Sequence, residues 1–67
     1  MAIAERIKEL RKEKGISQAE LGKAVGVSQK AVDYWEKGVN EPKANYIVKL
    51  ADFFDVTADY LLCRKDF

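Results

Sequence analysis

The chain has 67 residues, of which 48% are hydrophobic and 34% are charged. This length allows one small domain over residues 1–67 and leaves no room for a second, and the composition is typical of a folded globular protein rather than a disordered tail. The formal net charge is +1, and a weak excess of Lys and Arg within residues 1–49 does not identify a partner.

The residue types present exclude several kinds of protein. There is a single cysteine, Cys63, and no histidine, so we expect no intrachain disulfide, no metal and no cofactor. The usual acid, base and nucleophile sets are also lacking, which argues against an enzyme. The N-terminal segment MAIAERIKEL is charged every few residues. It is therefore neither a signal peptide nor a membrane span, and a reducing, cytoplasmic location is expected.

Helical periodicity begins at the N-terminus. Apolar residues recur at helical spacing and a glycine follows them, which predicts a first helix over about residues 2–14. A capping box, SQAE at residues 17–20, predicts the start of a second helix over about 17–25. Leu21 and Ala24 are expected on its apolar side, with Val25 as a further candidate. This helix is short and requires neighbours for stability.

The third helix is predicted over about residues 28–37, with Ser28 as its cap and Gly38 at its end. On such a helix Val32 and Trp35 lie three residues apart on one face, and we assign both to the core. Trp35 is accordingly a core residue and not a stacking platform. The opposite, outward face carries amide, ammonium, carboxylate and phenol groups, from Gln29, Lys30, Asp33, Tyr34 and Lys37.

Two further helices complete the predicted fold. The only proline, Pro42, precedes a fourth helix, because proline is tolerated just before or at a helix start. Thr57 and Asp59 indicate the start of a short fifth helix that ends near Leu62. Since no alternating strand pattern is present, the predicted fold is an all-α, compact five-helix bundle. The apolar side of the fourth helix contains Tyr46, Ile47, Leu50, Ala51 and Phe54.

Two short helices joined by a tight turn with a glycine, the second with a polar outward face, form a helix-turn-helix. The segment SQAELGKAVGVSQKAVDYWEKG, with IKELRKEKGI upstream and PKANYIVKLADFFDVTADYLL downstream, resembles the helix-turn-helix domain of Cro and the lambdoid phage repressors, also called the XRE family. The resemblance covers about residues 3–62. It implies a lambda repressor-like DNA-binding domain and a transcription regulator, usually a homodimer on a near-palindromic operator.

The resemblance places the third helix in the DNA major groove, where its outward side chains would contact bases. Gln29 suits the N6 and N7 atoms of adenine, and Lys30 suits O6 and N7 of guanine. Asp33 would accept from cytosine N4, and Tyr34 would contact a thymine methyl or a phosphate. For Asp33 and Tyr34 the competing interpretation is an ordinary surface role, because aspartate repels phosphate and tyrosine can cover the edge of a core.

Contacts to the DNA backbone are expected around this helix. By position, Gln18 resembles the family's glutamine that contacts a phosphate and braces the recognition helix. The loop VNEPK departs from the better-known phage repressors, because it offers only Lys43 as a basic residue while Glu41 opposes binding. Backbone affinity is therefore expected to be modest and salt-sensitive. The predicted backbone contacts are Gln18, Lys23, Ser28, Lys37, Asn40 and Lys43.

Two further assignments concern structure and assembly. Arg11 and Glu36 resemble the family's partly buried ion pair, which joins the first helix to the end of the third. The apolar C-terminal residues are predicted to form a dimer surface, although they would alternatively close the core of a monomer. This predicted dimer surface contains Phe54, Tyr60, Leu61 and Phe67.

A second class of function stays open at this stage. The same apolar C-terminal surface would suit a protein-interaction module of the antitoxin or antirepressor-partner type, with DNA binding secondary. The net charge of only +1 is consistent with this alternative. The sequence favours double-stranded DNA and a second copy of the chain as partners, with a toxin or antirepressor protein as the alternative and no membrane.

Overall fold

The computed structural model describes residues 2–64, and this part of the chain folds into five α-helices without a β-strand. The predicted all-α, five-helix fold is confirmed. The second and third helices each begin one residue later than predicted, because Ser17 and Ser28 cap them from outside the helix. The helices are α1 (Ala2–Glu13), α2 (Gln18–Val25), α3 (Gln29–Lys37), α4 (Ala44–Phe54) and α5 (Ala58–Leu61).

Side-chain caps define the starts of α2, α3 and α5. The Ser17 hydroxyl accepts from the Glu20 backbone N–H, and the Glu20 carboxylate accepts from the Ser17 N–H, so the predicted capping box is confirmed. Hydrogen bonds to the Glu20 carboxylate from the Ser17 backbone N–H, and then from the Ser17 side chain, lower the pKa of Glu20. The hydroxyls of Ser28 and Thr57 cap α3 and α5 in the same way. Each cap satisfies a backbone donor that the helix leaves unpaired.

The core is formed by one apolar stripe from each helix. Val32 and Trp35 of α3 lie inside it, as predicted, and the Trp35 ring packs against Tyr46 of α4 with 5.7 Å between ring centroids. Ala24 is exposed, contrary to expectation, since the buried stripe of α2 runs through Val25 one residue further on. The fully or nearly fully buried hydrophobic residues are Ile3, Ala4, Ile7, Leu10, Leu21, Val25, Val32, Trp35, Leu50, Ala51 and Leu61.

A contact between α1 and α5 closes the bundle. The Arg6 guanidinium lies 4.0 Å from the centroid of the Tyr60 ring, and its Nη1 donates to the Tyr60 carbonyl at 3.1 Å. The arginine therefore covers one face of the tyrosine ring and fixes the backbone of α5. Among residues 2–64, no helix has the length and apolar character needed to cross a membrane.

Candidate nucleic-acid interface

The turn between α2 and α3 positions the candidate site. Gly26 ends α2 with φ 85°, a left-handed conformation that favours glycine. The N–H groups of Gly26 and Val27 both donate to the Gly22 carbonyl at 2.8 Å. At Gly22 the turn packs so closely on α2 that a Cβ atom would lie 2.6 Å from the Val27 carbonyl oxygen and 3.1 Å from that of Ser28. This close approach sets the position of α3 relative to α2.

The outward face of α3 begins with two exposed polar residues. Gln29 and Lys30 are both exposed, whereas Asp33 and Tyr34 are half-buried. The Lys30 ammonium lies 5.7 Å from the centroid of the Tyr34 ring, a cation–π contact one helical turn apart. The four predicted base-contacting residues therefore lie on one helix, with Gln29 and Lys30 exposed at its N-terminal end.

Behind this face, a partly buried ion pair joins α1 to α3. The Arg11 guanidinium donates to both oxygens of Glu36, from Nε at 2.6 Å and from Nη2 at 3.0 Å. The Arg11 and Glu36 side chains are only 12% and 3% exposed. Hydrogen bonding to Glu36 raises the pKa of Arg11. Arg11 Nη1 also donates to the Ile16 carbonyl at 2.8 Å, so the arginine fixes the loop before α2 as well. The structure thus places Arg11 and Glu36 in the arrangement that the sequence predicted.

A chain of hydrogen bonds continues from Glu36 to the surface. Gln18 Nε2 donates to Glu36 Oε1 at 3.1 Å and to Asp33 Oδ1 at 3.2 Å. Asp33 Oδ2 in turn pairs with Lys37 Nζ at 2.9 Å. Gln18 therefore connects the N-terminus of α2 to two successive turns of α3, which is the bracing role expected for it. We call this chain, Gln18–Asp33–Lys37, the surface clasp.

The surface clasp predicts a lowered pKa for the Asp33 carboxylate. Hydrogen bonds from Lys37 and then from Gln18 lower the pKa of Asp33 below its ordinary value of 3.8. Because the pKa of Asp33 is lower in the folded state than in the unfolded state, its contacts stabilise the fold fully above pH ~3.9, the unfolded-state pKa. This stabilisation is lost as the pH falls through the folded-state pKa of Asp33. We expect an NMR pH titration to give an Asp33 pKa below 3.8 in the native chain and a higher value in Lys37→Met.

The same titration has a matched control. Lys43→Met removes another exposed lysine but leaves the clasp intact, so the Asp33 pKa is expected to stay low in that variant. An Asp33 pKa at its ordinary value in the native chain would show that the clasp does not form in solution.

The predicted backbone contacts divide into two groups by location. Asn40 and Lys43 line a groove together with Val27 and Ala31, which places them beside the start of α3. Lys23 instead lines a groove toward α4, with Lys49, Asp52 and Phe53, and not the groove beside α3. Ser28 caps α3 and is exposed. Gln18 and Lys37 are already bonded within the surface clasp.

One residue of the predicted dimer surface was assigned wrongly. Leu61 is fully buried, because the short α5 turns this side chain inward against the rest of the core. Phe54 and Tyr60 are half-buried and pack against the same core, and Arg6 covers one face of the Tyr60 ring. Phe67 lies outside the described residues. The apolar surface that the described residues offer here is thus smaller than the sequence suggested.

Three features of the site were not predicted from the sequence. Gly22 carried a signal, since a glycine inside a helix is costly unless something approaches its backbone closely. The bond from Gln18 to Asp33 joins residues fifteen apart in the chain, and it depends on the approach of α2 to α3. The contact between Arg6 and Tyr60, which lies outside α3, joins residues near opposite ends of the chain and leaves no local pattern in the sequence.

Comparison with known proteins agrees with this architecture. The repressor protein C2 of Salmonella phage P22 is 42% identical over 60 residues, which are 90% of this chain and 28% of that protein. The crystal structure of the P22 c2 repressor with a synthetic operator superposes with a TM-score of 0.86 at 39% identity, covering 91% of this chain and 92% of that one. The structure of SinR, a regulator of biofilm formation, in complex with DNA gives a TM-score of 0.82 at 34% identity, covering 90% and 97%.

These likenesses concern one part of larger proteins. The chain spans 28% of the length of the curated phage repressor and about half of the length of another curated relative. A family model described as helix-turn-helix matches residues 7–61, which include all of α2, α3, α4 and α5. That family consists of transcriptional regulators and not of enzymes, as the sequence led us to expect. The chain belongs to the helix-turn-helix family of phage and bacterial repressors.

Proposed function

We propose that residues 1–67 act as one sequence-specific DNA-binding domain of a transcriptional repressor, with α3 inserted in the major groove. The observation that carries the proposal is the two-sided character of α3. Val32 and Trp35 hold one side in the core, while Gln29 and Lys30 are exposed at its N-terminal end. An amide and an ammonium group in this position suit the hydrogen-bonding edges of adenine and guanine.

The backbone contacts in this proposal come from both sides of α3. Asn40 and Lys43 lie beside its start, and the Ser28 hydroxyl is exposed at its cap. Lys23 is a more distant candidate. With few basic residues near α3, the affinity for the DNA backbone is expected to be modest and salt-sensitive, since each phosphate contact contributes ~0.9 to the logarithmic slope. Asp33 and Tyr34, which are half-buried further along α3, are the other two candidate base contacts.

We further propose that the protein binds a near-palindromic operator as a homodimer in the bacterial cytoplasm. Two recognition helices would then contact half-sites ~34–36 Å apart on one face of the duplex. Phe54 and Tyr60 are the described residues that support a self-association surface. The named relatives are a repressor and a transcriptional regulator, which supports DNA rather than a toxin or antirepressor protein as the partner.

Selection from a randomised duplex pool at near-physiological salt tests this function. We expect enrichment of an inverted repeat with half-sites about one helical turn apart. Gln29→Ala and Lys30→Ala are each expected to relax specificity at one base pair per half-site, at a cost of ~1–3 kcal/mol. Lys43→Ala is the matched control, because loss of a phosphate contact weakens binding to all sequences about equally.

Three outcomes have distinct meanings. Enrichment of a single half-site would support DNA recognition but contradict the homodimer. Enrichment that does not change in the Gln29 and Lys30 variants would place base recognition elsewhere. No enrichment at any salt concentration would contradict the proposed function itself.

A further inference from the structure

The outward face of α3 contains a carboxylate, Asp33. It contacts Gln18 and Lys37, two of the residues that are predicted to bind DNA phosphates. Asp33 accepts from Gln18 Nε2 at 3.2 Å through one oxygen and pairs with Lys37 Nζ at 2.9 Å through the other. The Asp33 side chain is 28% exposed, so the carboxylate is close to the surface and its charge is not hidden from an approaching phosphate.

These bonds change what Gln18 and Lys37 offer to DNA. A glutamine amide has two N–H donors, and in Gln18 they are directed to Asp33 and Glu36. The remaining Gln18 atom is a carbonyl oxygen, which accepts hydrogen bonds and cannot donate one to phosphate. Lys37 is 65% exposed, but its charge is balanced by Asp33. Gln18 therefore has to leave Asp33 or Glu36 before its amide donates to a phosphate, whereas for Lys37 the Asp33 carboxylate offsets the positive charge that would attract one.

We propose that Asp33 lowers the sequence-independent affinity of the protein for the DNA backbone. This inference rests on the proposed function. Phosphate contacts supply nearly all of the affinity for random DNA, whereas base contacts distinguish one sequence from another. Asp33 restrains two backbone contacts, while Gln29 and Lys30 take no part in the clasp. The carboxylate therefore weakens binding to every sequence and preserves the preference for the correct one.

Binding of the full chain to a random-sequence duplex tests the proposal across a salt series. Asp33→Ala is expected to raise this affinity and to steepen the logarithmic salt slope by ~0.9, because Lys37 becomes available to one phosphate. Between 50 and 200 mM salt this slope corresponds to an additional ~3.5-fold change in affinity. Asp33→Asn keeps an acceptor for Gln18 but loses the charge, so it isolates the contribution of Lys37.

Two controls separate release of the clasp from a simple change in net charge. Glu41→Gln removes one exposed negative charge in the loop after α3 without altering the clasp, and it is expected to leave the slope within ~0.3 of the native value. Lys37→Ala alone is expected to change the slope little, because Asp33 already restrains that lysine. Combined with Asp33→Ala, Lys37→Ala is expected to abolish the increase in slope.

The results distinguish the inference from the function on which it rests. If Asp33→Ala and Glu41→Gln give the same slope, the clasp does not control backbone binding and the inference is wrong. A lower affinity for random DNA in Asp33→Ala, with its thermal midpoint unchanged, would also overturn it. If neither the native chain nor any variant binds duplex DNA at low salt, the proposed function fails, and the inference fails with it.

Discussion

Glu36→Ala is expected to lower the free energy of unfolding by ~3–5 kcal/mol, because it leaves the buried Arg11 guanidinium without its charge partner. A domain of this size has a total stability of only ~3–10 kcal/mol. Glu36 accepts two hydrogen bonds from Arg11 and one from Gln18, and its side chain is 3% exposed. The variant is therefore expected to be largely unfolded, or to melt at a much lower temperature, by circular dichroism.

Two further variants show whether the loss of stability in Glu36→Ala comes from the broken ion pair or from the smaller side-chain volume. Glu36→Gln keeps the shape and an acceptor oxygen, so its loss of stability is expected to be smaller but still clear. Glu41→Ala truncates an exposed glutamate outside the pair and is expected to change stability by less than ~0.5 kcal/mol. An unchanged thermal midpoint in Glu36→Ala would show that the pair contributes nothing to folding.

Gly22→Ala is expected to destabilise the protein by ~1–3 kcal/mol, although helix propensity alone predicts the opposite sign. Alanine in a helix interior is favoured over glycine by ~1 kcal/mol. The added Cβ atom, however, would lie 2.6 Å from the Val27 carbonyl oxygen, which belongs to backbone and has little freedom to move. Gly22→Val is expected to unfold the protein, because a branched side chain needs still more space.

The sign of the change makes this experiment decisive. Ala24→Gly measures the propensity term at an exposed position of the same helix, where it is expected to cost ~1 kcal/mol. Because Gly22 sets the position of α3, Gly22→Ala is also expected to weaken binding to a selected operator more than binding to random DNA. A higher thermal midpoint in Gly22→Ala would show that the turn adjusts at no cost.

Local signals explain why most of the fold was predictable from the sequence. The capping residues Ser17, Ser28 and Thr57 and the apolar stripes act within one or two helical turns, so they are visible in the order of residues. The same holds for Trp35, whose spacing from Val32 placed it in the core. Ala24 was misplaced because Ala24 and Val25, three and four residues after Leu21, both fit the apolar stripe of α2. Only packing against the other helices decides which of them is buried.

The site was less predictable because its hydrogen bonds join residues of different helices, and they depend on the distance and orientation at which those helices pack. The outward face of α3 followed from periodicity, and the pairing of Arg11 with Glu36 followed from the family resemblance. The bond from Gln18 to Asp33 requires a particular separation of α2 and α3, which Gly22 determines. Leu61 was misassigned for a similar reason: a helix as short as α5 has too little periodicity to show which side faces the core.

The position of Trp35 makes its intrinsic fluorescence a probe of unfolding. It is the single tryptophan of the chain, it is 5% exposed, and it lies on the side of α3 opposite Gln29 and Lys30. Its emission is therefore expected to shift to longer wavelength when the core opens. Intrinsic fluorescence would then follow unfolding without a label, while the anisotropy of a labelled duplex follows association.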